Sequence, residues 1–168
     1  MSKAFTRELD DAPERVALPR PSASLPAGAK NYMTPQGAHR MRAELENLAE
    51  ERLRLLGGPS EEKTAQLPLL DQRIYLLRQN LESAEMVNPP TGAPDRVLFG
   101  ATVTVRERNG GVSTYRIVGV DETDLDQDWV SWISPIAKAL LNTKLGQRVR
   151  FKFPSGEKEL EIAGISYE

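Results

Sequence analysis

Residues 67–84 read LPLLDQRIYLLRQNLESA. Within them Leu67, Leu70, Ile74, Leu77, Leu81 and Ala84 recur at spacings that alternate three and four. That period places all six on one face of an α-helix. Pro68 is expected in the first turn of this helix, or at a kink in it. A second seam precedes it. Thr34-Pro35 has the chemistry of a helix start, because a threonine oxygen accepts from free N–H groups and proline suits the first helical position. Ala38, Met41, Leu45 and Leu48 follow, Arg52 interrupts the series, and Leu55 resumes it. Gly57-Gly58-Pro59-Ser60 should stop this first helix. Two seamed helices with a short Gly-rich break make an antiparallel helical hairpin over residues 33–88. Each arm of about 20 residues spans roughly 30 Å at 1.5 Å per residue.

On the N-terminal side, residues 1–32 are rich in proline, alanine and serine and poor in large apolar groups. They are read as a disordered, solvated tail. On the C-terminal side, Asn88-Pro89-Pro90-Thr91-Gly92-Ala93-Pro94 has linker composition, and residues 89–95 are assigned to a linker. Residues 96–168 then change character. Val97–Phe99, Ala101–Val105, Thr114–Val118, Trp129–Ile133, Val149–Phe153 and Leu160–Ile162 read as strands. Asn109-Gly110-Gly111 and Pro154-Ser155-Gly156-Glu157 read as turns. Ser134-Pro135 opens one short helix through Leu141. The expected class is α+β: a helical hairpin, then a small antiparallel β domain with one short helix.

Composition narrows the function. The chain has 168 residues, 39% hydrophobic and 27% charged, with no cysteine and one histidine. Disulfides, thiolate metal sites and cysteine nucleophiles are excluded, and a Ser-His-Asp triad or His-built metal site has little material. A net charge of −2 argues against tight, non-specific binding to naked nucleic acid. No apolar run is long enough to span a membrane, and the polar, acidic N-terminus does not read as a secretory signal. A cytoplasmic location is expected.

Met33-Thr34-Pro35-Gln36-Gly37, Asp71-Gln72-Arg73-Ile74 and Leu81–Val87 resemble the Gre transcript-cleavage factors of bacterial RNA polymerase. So do Phe99-Gly100-Ala101-Thr102-Val103, Tyr115–Glu122, and Ser134-Pro135-Ile136-Ala137-Lys138-Ala139-Leu140-Leu141. The resemblance covers residues 33–168 except the hairpin tip. It implies a coiled coil that enters the polymerase secondary channel and an FKBP-like domain that docks on the channel rim. Acidic tip residues would help hold a Mg²⁺ ion that the polymerase supplies, and the polymerase itself would hydrolyse backtracked RNA. The chain would then be an accessory factor with no intrinsic cofactor or metal, touching nascent RNA indirectly, and a monomer away from membranes. The same resemblance assigns Asp121, Glu122, Ser134, Pro135, Ile136 and Ala137 to rim docking.

The family's Asp-Leu-Ser-Glu-Asn-Ala-Glu-Tyr type tip run is not present. Glu61 and Glu62 are the acidic pair near the tip and are the residues assigned to assist the metal. The plain alternative is a solvated turn beside a helix start, where acids favour the positive end of the dipole. Alignment with the family makes each arm shorter by roughly seven residues, or about 10 Å of reach. A carboxylate must come within about 2–2.6 Å of a hard cation. The alternative reading is therefore a channel-binding modulator or competitor that does not cleave, similar to Rnk-like proteins. An FKBP-like peptidyl-prolyl isomerase would need a deep apolar, aromatic-lined pocket. A hairpin adaptor without a polymerase role is the third reading.

Other groups have plain readings. Asp121, Glu122, Asp124, Asp126 and Asp128 lack calcium-loop spacing. His39 reads as a surface residue. Trp129 and Trp132, three apart in a strand-like run, should face opposite sides. Arg148, Arg150 and Lys152 alternate with apolar residues, as on the solvated face of a half-buried strand.

Overall fold

The computed structural model describes residues 25–168. The tail expected over residues 1–32 lies outside the described residues as far as residue 24. Its last part is ordered instead. Asn31–Met33 forms β1, which pairs in parallel with β2 (Ala84–Met86) at the foot of the hairpin. Met33 supplies the reason: its side chain is fully buried with Ala38 and Met41, under Leu77 and Leu81. Met33 lies just past the tail, so the tail's composition carries no sign of the side chain that anchors its last residues.

Helix α1 spans Pro35–Gly57. Its first turn is capped by the Thr34 hydroxyl, which accepts from the Gly37 N–H at 2.9 Å. Helix α2 spans Ser60–Ser83. It starts seven residues before the Leu67 seam, so Gly58-Pro59 alone joins the arms. Pro68 is therefore inside α2, beyond its first turn. Ser60–Gln66 can be helical ahead of it because a proline blocks only its own N–H and the carbonyl four residues back. Leu70 and Ile74 of the seam are buried against α1, and Arg52 and Arg73 reach across to Asp71 and Glu44.

The C-terminal unit is a five-stranded sheet in the order β5-β4-β3-β7-β6. The strands are β3 (Thr102–Glu107), β4 (Val112–Val118), β5 (Trp129–Ser131), β6 (Arg148–Phe153) and β7 (Gly156–Ser166). The sheet is mixed rather than antiparallel throughout. β5 runs parallel to β4, pairing Arg116 with Trp129 and Val118 with Ser131. Residues 119–128 make this possible: they return the chain through two short 3₁₀ turns, Val120–Glu122 and Leu125–Gln127, before β5 begins. Helix α3, Pro135–Leu140, covers one face. Val97–Phe99 is not a strand. Val97 exchanges backbone hydrogen bonds with Thr143 and Asn142 in the turn after α3. The core joins Val103, Val105, Ile117, Ile136, Leu140 and Ile162, all fully or nearly fully buried. The α+β class with an N-terminal helical hairpin holds.

Candidate functional site

Glu61 and Glu62 sit in the first turn of α2, exposed, beside the Gly58-Pro59 tip. Their place follows from Pro59: its extended backbone ends α1 and presents the free N–H groups of α2, which favour acids. Successive helical residues leave the axis about 100° apart, so the two carboxylates diverge. They do not form a cation cage of their own, and any ion between them would need further oxygens from a partner. Among the described residues no group of three or more acidic, histidine or cysteine side chains is placed to hold a metal.

The residues expected to dock on the rim divide sharply. Pro135 is exposed at the head of α3. Ser134 caps that helix by accepting from the Ala137 N–H at 3.2 Å. Ile136 and Ala137 are core residues. Glu122 is 5% exposed, and its carboxylate is already engaged. It accepts from the Thr34 N–H at 2.9 Å, from the Thr34 hydroxyl, and from the Gly119 N–H at 2.9 Å. Asp121 accepts from the Asn31 side-chain amide at 3.0 Å. These two acids thus bind the start of the helical hairpin from within the same chain. The outward faces left for a partner here are Pro135 and the exposed acids Asp126 and Asp128.

The rest of the acidic cluster is local scaffolding. Asp124 accepts from the Asp126 N–H at 3.0 Å and from the Gln127 amide at 2.7 Å. Asp128 closes that turn with a left-handed backbone, φ 56°. His39 is exposed on α1. The two tryptophans take different neighbours. Trp129 lies under the guanidinium groups of Arg40, at 4.2 Å from its centroid, and Arg116, at 5.0 Å. Trp132 packs on the β core and meets the Tyr32 ring edge-on at 5.0 Å. Sequence reasoning gave no roles to Asn31, Tyr32, Arg40 and Gly119. The local signal nearby is the Thr34-Pro35 cap, whereas Asn31, Tyr32 and Arg40 meet Asp121, Trp132 and Trp129 of the distant β domain.

The basic strand face lies beside a row of acids. Arg148, Arg150 and Lys152 of β6 stand opposite Glu161, Glu159 and Glu157 of β7, and Arg148 lies 3.5 Å from both Glu159 and Glu161. The clefts on this side are lined by mixed charges such as Arg150, Lys158, Glu107 and Glu159. The aromatic residues Tyr115, Phe151 and Phe153, which an isomerase pocket would need, are buried in the core.

The family model "Transcription elongation factor, GreA/GreB, C-term" matches residues 91–167. Transcription elongation factor GreB of Neisseria meningitidis is 36% identical over 154 residues, covering 82% of this chain and 94% of the relative. GreB of Pseudomonas aeruginosa is 37% identical over 150 residues, covering 80% and 89%. GreA of Alkalilimnicola ehrlichii is 35% identical over 156 residues, covering 83% and 99%. A solved structure of a GreA/GreB factor from Nitrosomonas europaea aligns with 82% of this chain and all of its own, at 22% identity and a TM-score of 0.43. With a helical hairpin leading into the matched C-terminal domain, and with relatives this similar along nearly their whole length, the chain belongs to the GreA/GreB family of transcription elongation factors.

Proposed function

We propose that this chain binds bacterial RNA polymerase, places its helical hairpin in the secondary channel with the β domain on the rim, and regulates elongation from there. One observation carries the reading. The hairpin is a two-helix rod of 23 and 24 residues, about 35 Å long at 1.5 Å per residue, whose tip presents Glu61 and Glu62 to solvent. Such a rod suits a narrow channel, and its acidic tip suits the neighbourhood of a polymerase-held cation. The Mg²⁺ of the polymerase would supply charge neutralisation and an activated water. What this chain brings is reach and negative charge, so it acts as an accessory factor and not through an active site of its own.

Reach also favours a second reading. Arms shorter than the family's by about 10 Å would leave carboxylates that need to stand within about 2–2.6 Å of the metal too far away. The hairpin would then occupy the channel without promoting cleavage. An RNA cleavage assay on a stalled, backtracked polymerase complex separates the two. Cleavage that disappears in Glu61→Ala/Glu62→Ala supports metal assistance by the tip. No cleavage, together with competition against an authentic cleavage factor, supports the non-cleaving occupant. Failure to bind polymerase at all defeats both.

A further inference from the structure

We propose that Glu122 is a positioning residue: its buried carboxylate, held by Thr34 at the head of α1 and by Gly119 in the β domain, sets the direction in which the helical hairpin leaves that domain. Glu122 and Thr34 are 88 positions apart in the chain. The carboxylate accepts the Thr34 N–H and the Thr34 hydroxyl on one side and the Gly119 N–H on the other. Thr34 meanwhile caps α1 through Gly37. One side chain therefore couples the first turn of the hairpin to a 3₁₀ turn of the sheet domain, with its charge at the positive end of α1.

The sterics at this junction are equally specific. A Cβ on Gly37 would fall 1.8 Å from Glu122 Oε1, and one on Gly119 would fall 2.1 Å from the Tyr32 carbonyl oxygen. Both glycines have ordinary backbone angles, so closeness of approach, not turn geometry, demands them. The neighbouring contacts add to the same joint: Asn31 to Asp121, Tyr32 to Trp132, and Arg40 over Trp129. Beyond this foot the hairpin projects with Leu53, Leu69 and Tyr75 exposed. A lever about 35 Å long moves its tip by about 6 Å for a tilt of about 10°. That displacement is more than twice the whole length of a metal–carboxylate contact, about 2–2.6 Å. The geometric claim is independent of any partner; its consequence for transcription rests on the polymerase reading above.

The chain has no cysteine, so Leu56→Cys near the tip and Leu145→Cys on the β domain, both exposed, accept a pair of spin labels without competition. Electron–electron resonance should give one narrow distance distribution in the otherwise unmodified chain. Glu122→Ala should shift or broaden it, and Gly37→Ala, which evicts the carboxylate, should do the same. Gly37→Ala/Glu122→Ala should be no worse than Glu122→Ala, because both break one contact. Glu122→Gln keeps an oxygen for the two N–H groups and an amide to donate to the Thr34 oxygen, so it should restore the narrow distribution. If Glu122→Ala does not fold, Gly37→Ala against Glu122→Gln carries the comparison. An unchanged distribution in Glu122→Ala or Gly37→Ala, with far-UV dichroism showing the hairpin folded and tryptophan fluorescence showing the β domain folded, overturns the proposal. In a transcription assay, Glu122→Ala should lose its effect on elongation and Glu122→Gln should retain it. Shifted distances together with no polymerase binding by the unmodified chain would leave the geometry standing and refute the polymerase reading instead.

Discussion

Glu122, Gly119 and Tyr115 show how much individual side chains and their absence decide in this protein. Replacing Glu122 by alanine strands two buried backbone N–H groups, of Thr34 and Gly119, and a hydroxyl. At roughly 1–3 kcal/mol for each unsatisfied buried group, partly offset by entering water, the loss should be about 2–4 kcal/mol, read from the urea midpoint. A methyl on Gly119 would meet a backbone carbonyl at 2.1 Å, which only a main-chain shift relieves; overpacking of this kind costs about 1–3 kcal/mol. Burial pushes the Tyr115 phenol above its ordinary value of 10.0, reinforced by the charges of Asp128 and Glu107 and opposed by a hydrogen bond to Ser113. The folded protein thus holds this proton more tightly than the unfolded chain does. Its contribution is fully present below the unfolded pKa of about 10 and is lost as pH rises through the higher folded value. Alkaline melting curves should show this extra loss, and Tyr115→Phe should flatten it.

Helix α2 carries an exposed proline in its interior, Pro68. It removes one helical hydrogen bond and crowds the carbonyl of Thr64. Since the surrounding residues are already helical, Pro68→Ala should raise both the far-UV helical signal and the stability of the hairpin, by roughly 1–3 kcal/mol. A drop in helicity would mean that the bend is needed for the arms to pack. On the sheet, the β6 cations stand opposite the β7 acids in register, and Arg148 pairs with Glu159 and Glu161. Exposed pairs of this sort contribute little, about 0–1 kcal/mol each. Arg150→Ala should therefore leave stability nearly unchanged, as thermal denaturation would show.

The described residues form two cores, one in the β domain and a small one around Met33, Ala38 and Met41 at the foot of the hairpin. They are joined through a narrow contact that includes Glu122 and the Arg40–Trp129 stack. Both tryptophans lie in the β domain, while nearly all the helix lies in the hairpin. Fluorescence and far-UV dichroism therefore report different halves. The unmodified chain should melt with coincident curves, and Glu122→Ala/Arg40→Ala should separate them, the hairpin unfolding first because its core is smaller.

The hairpin, most of the strands, the Thr34 and Ser134 caps and the glycine-bearing turns were legible in the chain, because each is written in a short-range period or in the chemistry of a few adjacent residues. The start of α2 is not legible, because a proline inside a helix looks like a proline at its beginning. Exposure of Glu61 and Glu62 at the tip also followed from their neighbours. Tertiary structure alone decided that Asn31–Met33 is a strand, that β5 runs parallel to β4, and that the β6 cations face a row of glutamates. It also decided that Glu122, an acid in an acidic run, is buried against the cap of a helix 88 positions earlier. Such pairings are chosen by the packing of surfaces distant in sequence, and no local period records which distant group will arrive to satisfy a buried charge.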